Sequence, residues 1–139
     1  MAASPNLRFI NPPTMSKPPG YTHVIEATGP SRIVYIAGQL GLTVDGKLAG
    51  PTGDFRAQAI QAFENLKNAL AAVGAGFEHV VKLNNYLTDI RAQLPIYRDV
   101  RDSHVSTANP PASTTLEVSK LAIEGALYEV EAVAILPPR

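Results

Sequence analysis

Between Asp54 and Val73 the apolar side chains Ala59, Phe63, Leu66, Leu70 and Val73 recur every three or four residues, the spacing of one buried stripe on a helix. Asp54 suits the positive end of such a helix, and Gly74 can close the other. Elsewhere the period changes. Arg32-Ile-Val-Tyr-Ile-Ala37 is a largely apolar, β-branched run, which predicts a strand buried on both faces near the centre of a sheet. Thr22 to Ala27 alternates as a strand, and the turn residues Gly29-Pro30-Ser31 predict an antiparallel hairpin between these two. Val80 to Leu87 predicts another strand, Asp89 to Gln93 a polar break, and Leu94 to Val105 a second helix that Asn109-Pro110-Pro111 stops. Ser113 to Leu121 and Tyr128 to Ile135 then form a pair of strands around a turn containing Glu124-Gly125. The order is β-β-α-β-α-β-β, and Thr43 to Leu48 allows one further short strand.

Prolines fence both ends: Pro5, Pro12, Pro13, Pro18 and Pro19 lead in, and Pro137 and Pro138 lead out. Residues 1–20 therefore read as an extended arm and residues 21–139 as the folded domain. Two helices cover one face of such a sheet, while Ile33 to Ala37 offer apolar atoms to both. The second face is expected to meet another copy of the chain, because bare apolar area of that extent is rare on soluble monomers.

Composition narrows the function classes. The 139 residues, 45% hydrophobic and 17% charged, suit one globular domain. Twelve basic and twelve acidic side chains cancel, which argues against nucleic acid or an anionic membrane as partner. The chain has no cysteine, so disulfides, thiolate metal ligands and a cysteine nucleophile are all excluded. The first residues lack the apolar run of a signal peptide, and the expectation is a soluble cytoplasmic protein.

Standard catalytic constellations are missing. His23, His79 and His104 lack ligand-spaced partners, so neither a metal nor a cofactor is expected. Gly38-Gln-Leu-Gly41 and Gly74-Ala-Gly76 do not have the spacing of a phosphate loop. Ser113-Thr114-Thr115 lies outside any nucleophile elbow. Three features carry more. Glu129 and Glu131 are two apart on a strand and share a face, either as a solvated or interface pair or as a cleft acid. Arg98 and Arg101 are three apart on a helix, with Asp102 four residues beyond Arg98 for a surface ion pair. Gly20-Tyr21 places a phenol before the first strand.

These features fall in a wider pattern: Gly20-Tyr21, Tyr35-Ile-Ala-Gly-Gln39, the alanine-rich helix, Val81-Lys-Leu-Asn-Asn-Tyr-Leu-Thr-Asp89, Pro111-Ala-Ser-Thr-Thr-Leu-Glu-Val118 and Glu129-Val-Glu-Ala-Val-Ala134. In that order they resemble the RidA/YjgF family of imine and enamine deaminases. The resemblance implies an α+β, chorismate-mutase-like single domain, with a mixed β-sheet and two helices on one face. It also implies a homotrimer that binds small molecules in clefts between subunits.

By the same resemblance Tyr21 is the cleft phenol, Gly38 the glycine of close approach and Glu129 the acid that orients water. Ala37 stands where serine is common, and an asparagine usual near the start of the second helix has no counterpart around Leu94 to Tyr97. The chief departure is Ser113. Deaminating members carry an arginine there, whose fork grips a substrate carboxylate. Serine offers one neutral hydrogen bond, so activity on small imino acids is expected to be weak or absent unless Arg98 or Arg101 supplies the charge. Two functions follow: a deaminase of altered substrate preference, or a non-catalytic small-molecule binding trimer. An endoribonuclease role fits poorly with zero net charge and few aromatics.

Overall fold

The computed structural model describes residues 6–139. Strand β1 (Asn6–Ile10) pairs antiparallel with β2 (Val24–Thr28) in a two-stranded sheet. Strand β3 (Arg32–Leu40), helix α1 (Phe55–Ala71), β4 (Val80–Leu87), helix α2 (Ile90–Asp102), β5 (Ala112–Glu117) and β6 (Tyr128–Leu136) follow. The last four strands make a mixed sheet in the order β3-β6-β4-β5, with β4 and β5 parallel and the other pairs antiparallel.

Helix α1 begins where the Asp54 carboxylate accepts from the Ala57 N–H at 3.0 Å. It ends in a turn in which Gly74 takes a φ of +75° and the Ala75 N–H returns to the Leu70 carbonyl at 2.9 Å. Its apolar stripe, Phe55, Ala59, Ala62, Phe63, Leu66 and Leu70, is buried. Opposite lies β6, which alternates strictly: Tyr128, Val130, Ala132, Ala134 and Leu136 face the helices. Phe63 of α1 and Tyr97 of α2 both pack on the Tyr128 ring, at centroid distances of 6.1 and 5.8 Å, so both helices cover the same face.

Several expectations need correction. The first two expected strands, Thr22 to Ala27 and Arg32 to Ala37, do not form a hairpin ladder. The earlier strand pairs instead with β1, whose residues lie within the segment read as an arm; residues 1–5 of that arm fall outside the described residues. Strand β3 sits at the sheet's edge rather than its centre, and its outer face is bare in the single chain: Ile33 is 58% and Tyr35 80% exposed. Val34 and Ile36 turn toward the helices, and the opposite face of the strand is the one expected to meet another copy of the chain.

The run Asp89 to Gln93 is the start of α2, not a break before it. The Asp89 carboxylate caps Ala92, and the Gln93 side-chain oxygen accepts from the Thr88 and Asp89 N–H groups at 3.1 and 2.9 Å. The helix therefore runs four residues earlier than expected and stops at Asp102. Strand β5 joins β4 in parallel rather than pairing with β6, because the turn around Gly125 carries the chain over to the opposite side of β4. Thr43 to Leu48 is a turn with a single Leu42–Leu48 bridge.

Candidate functional site

Ser113 opens β5 opposite Leu83, on the sheet face that carries the helices. Its position is set by Asn85, a fully buried amide in the middle of β4. The Asn85 amide nitrogen donates to the Ser113 hydroxyl at 3.0 Å, to the Thr114 carbonyl at 3.2 Å and to the Thr115 hydroxyl at 3.3 Å. The Asn85 oxygen accepts from the buried Tyr128 hydroxyl at 2.8 Å. Every polar atom of this amide has a partner, as burial demands. Thr22 fastens the other wall: its hydroxyl donates to the Pro110 carbonyl at 2.5 Å and its N–H to the Pro111 carbonyl at 3.2 Å. These bonds hold Pro19 and Tyr21 beside the start of β5.

The result is a pocket of about 360 Å³ whose walls include Tyr21, Ile90, Leu94, Tyr97, Arg98, Arg101, Ser113 and Thr115. Arg101 is its deepest charge, only 7% exposed. Asp102 accepts from Nε at 2.9 Å, and the guanidinium lies over the Tyr97 ring, 5.5 Å from its centroid. Gly20 packs against the other end of the fork. A Cβ there would sit 2.9 Å from Arg101 Cζ and 3.2 Å from Nη1, and Gly20 also holds a φ of +89°. Glycine is thus needed twice over at this position. The pair with Asp102 is the only ion pair of Arg101 among the described residues, so the terminal nitrogens of the fork remain for another acceptor.

Tyr97 is 1% exposed, and its hydroxyl is a buried polar atom without a hydrogen-bond partner of acceptable geometry, although Ser113, Thr115 and Arg101 flank it. Burial pushes this phenol above its ordinary pKa, with the Ser113 hydroxyl and the Arg101 charge drawing it part of the way back. It stays a neutral donor at physiological pH. A neutral donor and a cation at the end of one pocket suit an anionic oxygen acid.

Arg98 also lines the pocket, but it is exposed and does not pair with Asp102 as its spacing suggested. That carboxylate goes to Arg101, and Asp99 goes to Arg56 at 2.5 Å. A larger hollow of about 520 Å³ lies beyond Tyr21, walled mostly by residues 11–21, with Lys17 its only charged residue.

Gly38 and Glu129 are elsewhere. Between the register pairs Ile36–Ala132 and Gln39–Val130, the two residues Ala37 and Gly38 oppose Glu131 alone, which is a β-bulge in the edge strand β3. The Glu129 side chain lies across Gly38 so closely that a Cβ there would collide with Oε1. Glu131 stands next to it on the face away from the helices and accepts a hydrogen bond from the Tyr86 hydroxyl. Partial burial, and then the charge of Glu131, raises the Glu129 carboxyl above its ordinary pKa. The hydrogen bond to Glu131 raises Tyr86 in turn.

One chain therefore brings Tyr21, Arg98, Arg101 and Ser113 into a single pocket and leaves Gly38 and Glu129 on another strand and another face. Sequence reading missed Asn85, Tyr97, Thr115 and the contact of Gly20 with Arg101. One signal was present: Gln93, Tyr97 and Arg101 recur every four residues, so a polar stripe of α2 shares the buried face. Among the described residues no group of three or more His, Cys, Asp or Glu side chains is placed to hold a metal ion.

This arrangement has relatives. The family model described as Endoribonuclease L-PSP matches residues 14–136, and the chain belongs to that family, the RidA/YjgF family. It is 31% identical over 131 residues to a RutC family protein of Aquifex aeolicus, covering 93% of this chain and 99% of the other. It is 30% identical over 130 residues to a 2-iminobutanoate/2-iminopropanoate deaminase of Dermatophagoides farinae, covering 93% and 96%. The crystal structure of the Rid-family protein YyfB from Yersinia pestis superposes with a TM-score of 0.83 at 34% identity, over 93% of this chain and 98% of that one. The α+β fold with two helices on a mixed sheet is thus that of the family. Among the described residues no helix is long and apolar enough to cross a membrane. The compartment stays open, since a relative in yeast is named mitochondrial.

Proposed function

We propose that this protein is a hydrolytic deaminase of reactive imines or enamines that carry a carboxylate, and that Arg101 grips the acid group in place of a residue at position 113. The observation that carries this reading is the Arg101 guanidinium in the Ser113 pocket, its Nη atoms without a carboxylate and the unpartnered Tyr97 hydroxyl beside it. Moving the cation from the strand to the helix displaces the carboxylate anchor, which changes the substrates that fit.

Glu129 takes the part of the base. As it removes a proton from water, the oxygen bonds to the C=N carbon and the nitrogen gains a proton. The resulting carbinolamine then loses its C–N bond to release ammonia and a carbonyl product. A carboxyl with a raised pKa is better matched to this exchange than an ordinary glutamate.

Ser113 and Gly38 lie on opposite edge strands, three strand spacings or about 14 Å apart. A site that uses both draws them from two copies of the chain. The homotrimer with clefts between subunits, expected from the family resemblance, meets that need and would also cover Ile33 and Tyr35.

The test supplies small 2-imino acids by enzymatic oxidation of amino acids and follows their disappearance by trapping with semicarbazide. The wild type accelerates the decay, and Arg101→Ala lowers kcat/KM by roughly 30- to 3,000-fold, the usual effect of removing one arm of a buried charge pair. A wild type no faster than buffer with every imine supplied would instead favour a second reading, a non-catalytic small-molecule binding trimer. One observation supports that alternative: the Ser113 hydroxyl is already engaged by Asn85.

A further inference from the structure

We propose that the pocket at the β5 edge selects ligands with two acid groups, the inner one held by Arg101 and Tyr97 and the outer one by Arg98. The inference rests on the reading that Arg101 anchors a carboxylate, and it adds the substrate class: short dicarboxylic imines or enamines.

The pocket walls contain two cations and no carboxylate. The cations are not equivalent. Arg101 is buried and fixed from both ends by Asp102 and Gly20, whereas Arg98 is exposed and has no hydrogen bond or ion pair among the described residues. The acids that would ordinarily neutralise Arg98 on α2 are already committed, Asp102 to Arg101 and Asp99 to Arg56. An arginine left unpaired by its own helix at the mouth of a pocket presents a positive charge to whatever enters. The i, i+3 spacing sets the two Cβ atoms about 5–6 Å apart, so both arms serve one opening. Ile90 and Leu94 add an apolar wall that suits a short carbon chain between two anionic ends. A monoacid satisfies Arg101 and leaves Arg98 to water.

The experiment is titration calorimetry of the intact protein at low salt with unreactive acids of matched length, pentanedioate against pentanoate. The wild type binds the diacid about fivefold more tightly or better, which is the upper range for one exposed ion pair. In Arg98→Ala the two acids come to within about twofold of each other, Arg98→Lys keeps part of the preference, and Arg101→Ala loses both ligands. Raising the salt to 0.5 M shrinks the preference, because the outer pair is solvent-screened.

Equal affinity for the two acids in the wild type, or a preference that survives Arg98→Ala, overturns the inference. If pentanoate still binds and needs Arg101, the anchor assigned above stands and only the second acid group is lost. If neither acid binds the wild type, or binding is indifferent to Arg101→Ala, the anchor fails and this inference with it.

Discussion

At the β5 edge the sheet ends in a hollow that is positively charged and held by buried hydrogen bonds; at the β3 edge it ends in a bulge beside two carboxylates. The first region is finished within one chain. Asn85, Thr22 and Gly20 each fix a wall, and among the described residues the Tyr97 hydroxyl is the one fully buried side-chain polar atom without a hydrogen-bond partner. The second region is unfinished: Ala37 and Gly38 stand out of the ladder, and the apolar Ile33 and Tyr35 beside them are bare. On the proposed reading, the region that would grip a carboxylate is complete in one chain, whereas Glu129, which would handle water, is only half-buried at a bulged edge, so binding and chemistry fall to different regions. The division has a physical cause. A guanidinium gains from burial only when its surroundings are rigid and paired, whereas a carboxylate that must exchange protons with water needs access to solvent.

This contrast can be broken most sharply at Glu129. Glu129→Gln would remove the proposed base and keep the shape, so kcat is expected to fall by about 10²- to 10⁴-fold while binding of an inert carboxylate is retained, measured by turnover and calorimetry on one preparation. Combining that variant with Arg101→Ala then asks whether the two regions meet across subunits. On the proposed trimer, the two variant chains unfolded together and refolded should regain about a quarter of wild-type activity if each site takes one residue from each of two neighbouring copies. No recovery would mean that both residues serve the same chain's site.

A smaller effect separates stability from binding at the β5 edge. Tyr97→Phe deletes a buried hydroxyl with no partner, so thermal unfolding should show a gain of about 1 kcal/mol or no loss, while carboxylate affinity falls. A drop in stability would reveal a hydrogen bond to Ser113 or Thr115 in solution.

The smallest expected change concerns pH. If Glu129 is the base, as proposed, it must be ionised, so kcat/KM rises with pH through its raised pKa, above the ordinary glutamate range. Glu131→Gln removes one of the two causes and shifts that acid limb downward. The same group makes the folded state bind its proton more tightly than the unfolded one. Its contribution to stability is therefore largest at acid pH and is lost as pH rises through the folded pKa.

Helix α1 and the outward pair Glu129 and Glu131 were legible in the sequence because their information is local: a period of 3.6 between Asp54 and Gly74, and a period of two along β6. Pairing was not legible. The parallel β4–β5 ladder and the β1–β2 ladder depend on where the chain returns, which no short window records. Polar residues misled in two places. Asp89 and Gln93 resemble a loop until their side chains are seen capping the N-terminus of α2. Asp102 has two arginines within reach, and only the burial of Tyr97 and Arg101 on one stripe decides which it joins. Ser113 and the two helix arginines were legible in the sequence, but which of the two is buried beside Ser113 required three dimensions.

Gly20 has the furthest reach. Because its backbone lies against the Arg101 fork at a positive φ that side chains rarely adopt, a side chain there would displace the guanidinium while leaving the arginine itself in the sequence. Glycine just before Tyr21, ahead of β2, and arginine late in α2 should accordingly be inherited together. On the proposed role of Arg101, the joint presence of those two letters would mark, in chains known only as text, relatives that share this helix-borne cation.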